Sequence, residues 1–231
     1  MPDLEGFGWL LLGGLRMTLV VAISSMIGTL VFGLLTAMGK IFAPRAGRIL
    51  IEAYTTFVRG VPELVLLLII YYGVPTLIQN VSRDLGTPVT LSINPFVAGI
   101  GTLTLIYAAF ACEVYRAAYM AVPAGQREAA LALGMSRLQT FLKVELPQMM
   151  RYALPGLGNV WMVVVKATAL ISIIQLPELM RIADVAARST RQPFTFFFIA
   201  CLFYLAITAI SMWGQGRLER WAARGTAEGR L

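Results

Sequence analysis

Four ionisable residues stand where charge is costly: Glu63, Glu113, Arg116 and Lys166 lie in or beside long apolar stretches. A charged group at the centre of a membrane helix costs roughly 2.5–3.5 kcal/mol on insertion scales, so such positions are functional candidates. Glu63 has two readings. It is either an acid available to a cationic group, or a helix-start carboxylate favoured by the macrodipole and paired with Arg59. Glu113 and Arg116 are three apart and share a helix face on which they neutralise each other. Asn159 and Lys166 lie within about 20° of each other around a helix, with Thr168, Ser172 and Gln175 on a roughly opposite face.

The chemistry available to the chain is narrow. Histidine is absent, and Cys112 and Cys201 sit singly in apolar runs, where small apolar filler is the ordinary role. No metal cluster or His-based catalytic group can be assembled. Gly33 to Lys40 is not a phosphate loop, because its glycines are six apart and Ile41 replaces the required Ser or Thr.

The elements that must position these residues are membrane spans. Only 13% of the 231 residues are charged and 58% are hydrophobic, against about a quarter charged in soluble domains. Five segments approach the roughly 20 apolar residues a span needs: Thr18 to Met38, Pro62 to Ile78, Pro95 to Cys112, Ala153 to Leu176 and Phe194 to Gly214. Gly6 to Leu15 is too short and is expected to lie at the interface. The loops after spans one and three, with the C-terminal tail, hold thirteen of the 19 basic residues; the other side holds five. The positive-inside rule then puts the N-terminus outside, periplasmic, and the C-terminus in the cytoplasm. The same bias explains the net charge of +7 without nucleic acid. The N-terminus does not read as a cleaved signal peptide.

The longest loop on the basic side is VPAGQREAALALGMSRLQTFLKVELPQMM. Pro123 can start a first short helix, Gly134 permits a tight bend, and Pro147 restarts the chain towards span four. Glu128-Ala129-Ala130, three residues, Gly134, nine residues and Val144-Glu145-Leu146-Pro147 resemble the signature loop of ABC-importer permeases. Val144 is the one departure, where isoleucine is usual. Ala53 to Pro62, Glu113 to Arg116 and Lys166 to Leu170 resemble the polar amino-acid branch. Val61-Pro62-Glu63-Leu64 is most similar to the histidine, lysine–arginine–ornithine and opine permease subunits.

The resemblance implies an all-α integral membrane fold, the type I importer transmembrane domain, over residues 13–213, with 1–12 as an N-terminal segment and 214–231 as a basic tail. It implies that about 123–147 is a coupling loop in which Glu128, Ala129, Ala130, Gly134, Leu146 and Pro147 engage an ATPase. It implies a non-catalytic subunit of the bacterial inner membrane that needs two ATPase copies, a second homologous permease and a periplasmic binding protein. ATP and Mg would be bound by the ATPase, with no cofactor in this chain. Polar amino acids, cationic ones first, are the expected cargo, so Glu63, Thr168, Ser172 and Gln175 are pathway candidates. Lys166, which would repel a cation, is assigned with Asn159, Arg59, Glu113 and Arg116 to packing or gating. An importer for acidic or neutral amino acids is the alternative; a stand-alone transporter or channel is the alternative of another class.

Overall fold

The computed structural model describes residues 6–87 and 89–222. Pro88, and Arg224 and Arg230 of the basic tail, lie outside them. Among the described residues eight helices follow one another: α1 Gly8–Phe42, α2 Arg45–Gly60, α3 Glu63–Asp84, α4 Pro95–Ala121, α5 Ala124–Ala132, α6 Arg137–Ile174, α7 Leu179–Thr190 and α8 Pro193–Ala222. Five of them, α1, α3, α4, α6 and α8, are long and apolar enough to cross a membrane. These are the five spans expected from the sequence, in the expected order.

Their ends differ from expectation. Gly8 to Leu15 is no separate helix but the first turns of α1, whose 35 residues make it about 52 Å long. Leu11 is buried against Leu179 and Phe196, so side-chain packing keeps the helix going where hydropathy alone suggested a break. The second half of the Pro123–Pro147 segment likewise belongs to span four: α6 runs 38 residues from Arg137. Pro147 does not restart the chain. A proline within a helix removes one hydrogen bond and presses its ring on the carbonyl four residues back. Here the preceding turn, Phe141–Glu145, widens to π geometry and accommodates it. The same device precedes Pro75, after the π turn Ile69–Gly73 in α3.

The centre of the bundle is α4, packed along α1 and across α6. Spans gain little from burying apolar surface away from lipid, so close backbone approach carries their association. A Cβ at Gly33 would stand 2.7 Å from the Ala111 Cβ, and one at Gly14 would stand 3.0 Å from the Leu179 Cα. The main core joins Val21 of α1, Leu103, Ile106 and Tyr107 of α4, and Val160, Val164 and Ile171 of α6. Cys112 is buried, Cys201 is exposed, and both are free thiols.

Two helices between the spans escaped the sequence reading. α2 links spans one and two and packs on α1 and α4. α7 follows span four at the other end and buries Leu179, Ala183, Ala186 and Ala187 between α1 and α8.

Candidate functional site

The Pro123–Pro147 segment forms a projecting, rigidly terminated unit. α5 begins at Pro123 and closes in a Schellman motif: Met135 N donates to Ala130 O at 3.1 Å, and Gly134 N to Leu131 O at 3.0 Å. Gly134 carries φ +80°, the left-handed value that a Cβ resists. Ser136 and Gln139 then form a capping box that starts α6, Ser136 Oγ accepting from Gln139 N and Gln139 Oε1 from Ser136 N. Serine three residues ahead of glutamine is a readable signal that the sequence reading passed over. Ala130 faces inward, while Glu128, Ala129, Gly134 and Pro147 are exposed and Leu146 is half-buried. Leu133 is 84% exposed and Leu131 43%, an apolar tip at odds with a purely solvated loop.

Near the same end, Glu113 of α4 holds the pair expected with Arg116, Nε to Oε2 at 2.9 Å. It also binds a partner the sequence did not reveal: Lys40, near the end of α1, reaches Oε1 at 2.7 Å. Lys40 additionally approaches Thr55 of α2. One carboxylate thus ties two spans and α2. Glu113→Gln is expected to lower stability by about 1–3 kcal/mol, because it leaves Lys40, with its side chain only 13% exposed, against a neutral amide. Thermal melting of the purified protein reads the loss; an unchanged melt would make the cluster ornamental.

Glu63 is half-buried at the start of α3, and its Oε1 accepts from Tyr107 OH at 2.9 Å. The expected Arg59 pair does not form: the Arg59 guanidinium sits 5.5 Å from the Phe110 ring centroid instead. Residues 59 and 63 belong to different helices, α2 and α3, parted by Val61 and Pro62, so four-residue spacing does not align them.

The expected common face of Thr168, Ser172 and Gln175 does not exist. α6 tightens to 3-10 geometry over Thr168–Ile174, and Gln175 turns left-handed at φ 65°, so α-helical spacing fails there. Thr168 is fully buried, donating to Val165 O at 2.7 Å with Tyr204 OH at 3.4 Å. Ser172 and Gln175 instead line a cleft of about 340 Å³ with Met180, Arg181, Asp184 and Arg188. Asn159 and Lys166 do share a face, and both are exposed. Lys166 has no carboxylate partner among the described residues. Hydrocarbon is a poor cover for that face.

Sequence reasoning missed the most deeply buried acid among the described residues. Glu178, fully buried, caps α7: Oε1 accepts from Arg181 N at 2.7 Å and Oε2 from Met180 N at 2.9 Å. Thr18 of α1 and Tyr204 of α8 each approach Oε2 at 3.4 Å, and Thr18 Oγ1 accepts from Leu179 N. Burial pushes its carboxyl up to about 7, against the partial relief of these hydrogen bonds. Glutamate is not a favoured cap residue, so its type gave little warning.

Residues 10–224 match the model of a family described as binding-protein-dependent transport system inner membrane component. The histidine/lysine/arginine/ornithine transport system permease protein HisQ of Escherichia coli (strain K12) is 43% identical over 208 residues, covering 90% of this chain and 91% of that one. The nopaline transport system permease protein NocQ of Agrobacterium fabrum (strain C58) is 42% identical over 221 residues, covering 95% and 94%. In a crystal structure of an amino acid ABC transporter with histidines, one chain superposes with a TM-score of 0.79 at 31% identity, covering 91% of this chain and 93% of that one.

Proposed function

Because the chain belongs to the family of binding-protein-dependent transport system inner membrane components, we propose that it is the permease subunit of an ATP-driven importer of cationic amino acids. The observation that carries this reading is the Pro123–Pro147 segment, exposed, apolar at its tip and fixed by a Schellman motif and a capping box. Such a unit receives work as a lever receives it, without deforming. The substrate class rests on the relatives named for histidine, lysine, arginine, ornithine and nopaline transport.

In this mechanism no covalent chemistry occurs in the chain. Five spans are too few to enclose a pathway, so a second permease subunit completes it, and a periplasmic binding protein delivers the cargo. ATP and Mg bind the two ATPase subunits. Their closure draws the α5 helices together through the exposed Glu128, Ala129 and Gly134, while buried Ala130 seats α5 on its own chain, and the spans open outward. The protein sits in the bacterial inner membrane with its N-terminus periplasmic and α5 in the cytoplasm, as the basic-residue asymmetry favours. Residues 13–213 act as the transmembrane domain.

Within it, Glu63 meets a cationic side chain, a reading supported by the Tyr107 hydroxyl bonding only Oε1. Ser172 and Gln175 serve the pathway from the cleft they line beside Asp184. Lys166 and Asn159 face the second permease or water, because lipid does not suit them. Glu113, Arg116 and Arg59 are structural.

The test is ATP hydrolysis by the reconstituted complex, with binding protein loaded in turn with arginine, histidine or glutamate. Stimulation by the cationic ligands is expected; stimulation by glutamate alone would keep the importer and discard the substrate class. Without any dependence on the ATPase, the importer reading itself would fail. Glu63→Gln is expected to reduce arginine uptake about tenfold, the equivalent of ~1.4 kcal/mol. Unchanged arginine and histidine uptake would remove Glu63 from the pathway.

A further inference from the structure

A cavity of about 570 Å³ lies between the coupling segment and the ends of α1 and α4. Met38, Phe42, Leu131, Leu138 and Phe141 give it apolar walls. The Phe42 ring packs edge-on against both Tyr119 and Phe141, at 5.7 and 5.4 Å between centroids. Two guanidiniums, Arg127 and Arg137, line the same space, and neither has a carboxylate partner among the described residues. Thr140, 1% exposed, also lines it, and its hydroxyl finds no hydrogen-bond partner in the protein. The one acid present, Glu145, is buried and approached by Tyr119 OH at 3.4 Å, which Arg127 meets in turn at 3.5 Å. Cations therefore outnumber the acid, and they are the more exposed groups.

Apolar walls, paired cations and a buried hydroxyl awaiting a partner describe the complement of one kind of molecule. We propose that this cavity binds an anionic phospholipid from the leaflet on the coupling-segment side, its headgroup phosphate between Arg127 and Arg137 and an acyl chain along Phe42, Leu138 and Phe141. A zwitterionic lipid or free phosphate matches only half of the lining. The phosphate uses the two guanidiniums, whose planar forks suit its oxygens. Basic residues near a membrane surface hold anionic lipid in preference to zwitterionic lipid. The site joins α5 to α1, so an occupant would brace the coupling segment against the bundle.

The test is native mass spectrometry of the complete transporter, purified from membranes containing phosphatidylglycerol and phosphatidylethanolamine. Wild type is expected to retain phosphatidylglycerol selectively. The Arg127→Gln/Arg137→Gln double variant should hold it about tenfold or more weakly, and Arg127→Lys/Arg137→Lys, which keeps both charges but loses the forks, should fall between the two. Added inorganic phosphate should not displace the lipid. Equal retention of both lipids, or retention unchanged in the glutamine variant, would overturn the proposal. So would loss of the ATPase from the glutamine variant with its lipid complement intact, since the guanidiniums would then serve the ATPase contact. Should the double variant not assemble, Leu138→Trp, which fills the apolar wall and keeps both charges, is expected to lose the lipid; a filled cavity that still retains it would be equally fatal.

Discussion

Gly134→Val is expected to abolish the coupling of ATP hydrolysis to uptake in a protein whose membrane bundle remains folded. Gly134 holds φ +80°, where a side chain costs roughly 1–3 kcal/mol and a β-branched one stands at the upper end. A Cβ there would meet nothing within 4 Å. The cost is therefore wholly conformational and falls on the Schellman turn. Loss of that turn frees Leu131 O and Ala130 O and unlinks α5 from the Ser136 capping box. Gly134→Asn, which tolerates the left-handed region, should keep most of the coupling. ATPase and uptake assays on the two variants, beside thermal melts, decide the matter. A valine variant that couples like wild type would mean that α5 transmits no work through this bend.

Glu178→Ala is the second large effect, and it concerns stability. The substitution strips two backbone N–H groups of their acceptor and leaves Thr18 and Tyr204 beside an apolar gap. A lost cap and buried donors without partners together cost about 3 kcal/mol. The pH dependence has a definite sign. The folded carboxyl lies near 7, above its ordinary 4.5, so between those values the folded protein holds a proton that the unfolded chain has released. The contribution is thus most favourable below about 4.5, declines as pH rises through the window, and is constant above about 7. Its full range is at most about 3 kcal/mol. Glu178→Gln keeps part of the cap and removes the titration. Across that window the melting temperature of wild type should fall relative to that of the glutamine variant as pH rises. Parallel curves would show that Glu178 does not titrate there.

What the sequence carried and what it hid follow one division. Apolar run length is additive along the chain, so the five spans and their order could be read directly. The α5 segment was legible because its spaced residues, Glu128 to Pro147, lie in one local stretch. Long-range chemistry was not. Nothing in the sequence of α1 says that Lys40 meets Glu113, and nothing after span four says that Glu178 threads between Thr18 and Tyr204. The Thr168–Ser172–Gln175 face failed for another reason. Angular arithmetic assumes one helical geometry, and α6 abandons it at Thr168. Proline misled similarly at Pro147, which a π turn lets stand inside a helix.

Those π turns set an angle. A π turn holds about one residue more than an α turn, so it offsets everything on one side of it by about 100° relative to an unbroken helix. In α6 the offset falls between Ser136 and the span, and Ser136 is what α5 is fastened to. The azimuth of α5 around span four is therefore written as a count of residues and not as a choice of side chains. Deleting or inserting one residue between Gly134 and Val144 would swing α5 by more than a quarter turn even if every contact type were preserved. The nine-residue spacing in that stretch thus acts as a rotational setting, more sensitive to length than to identity.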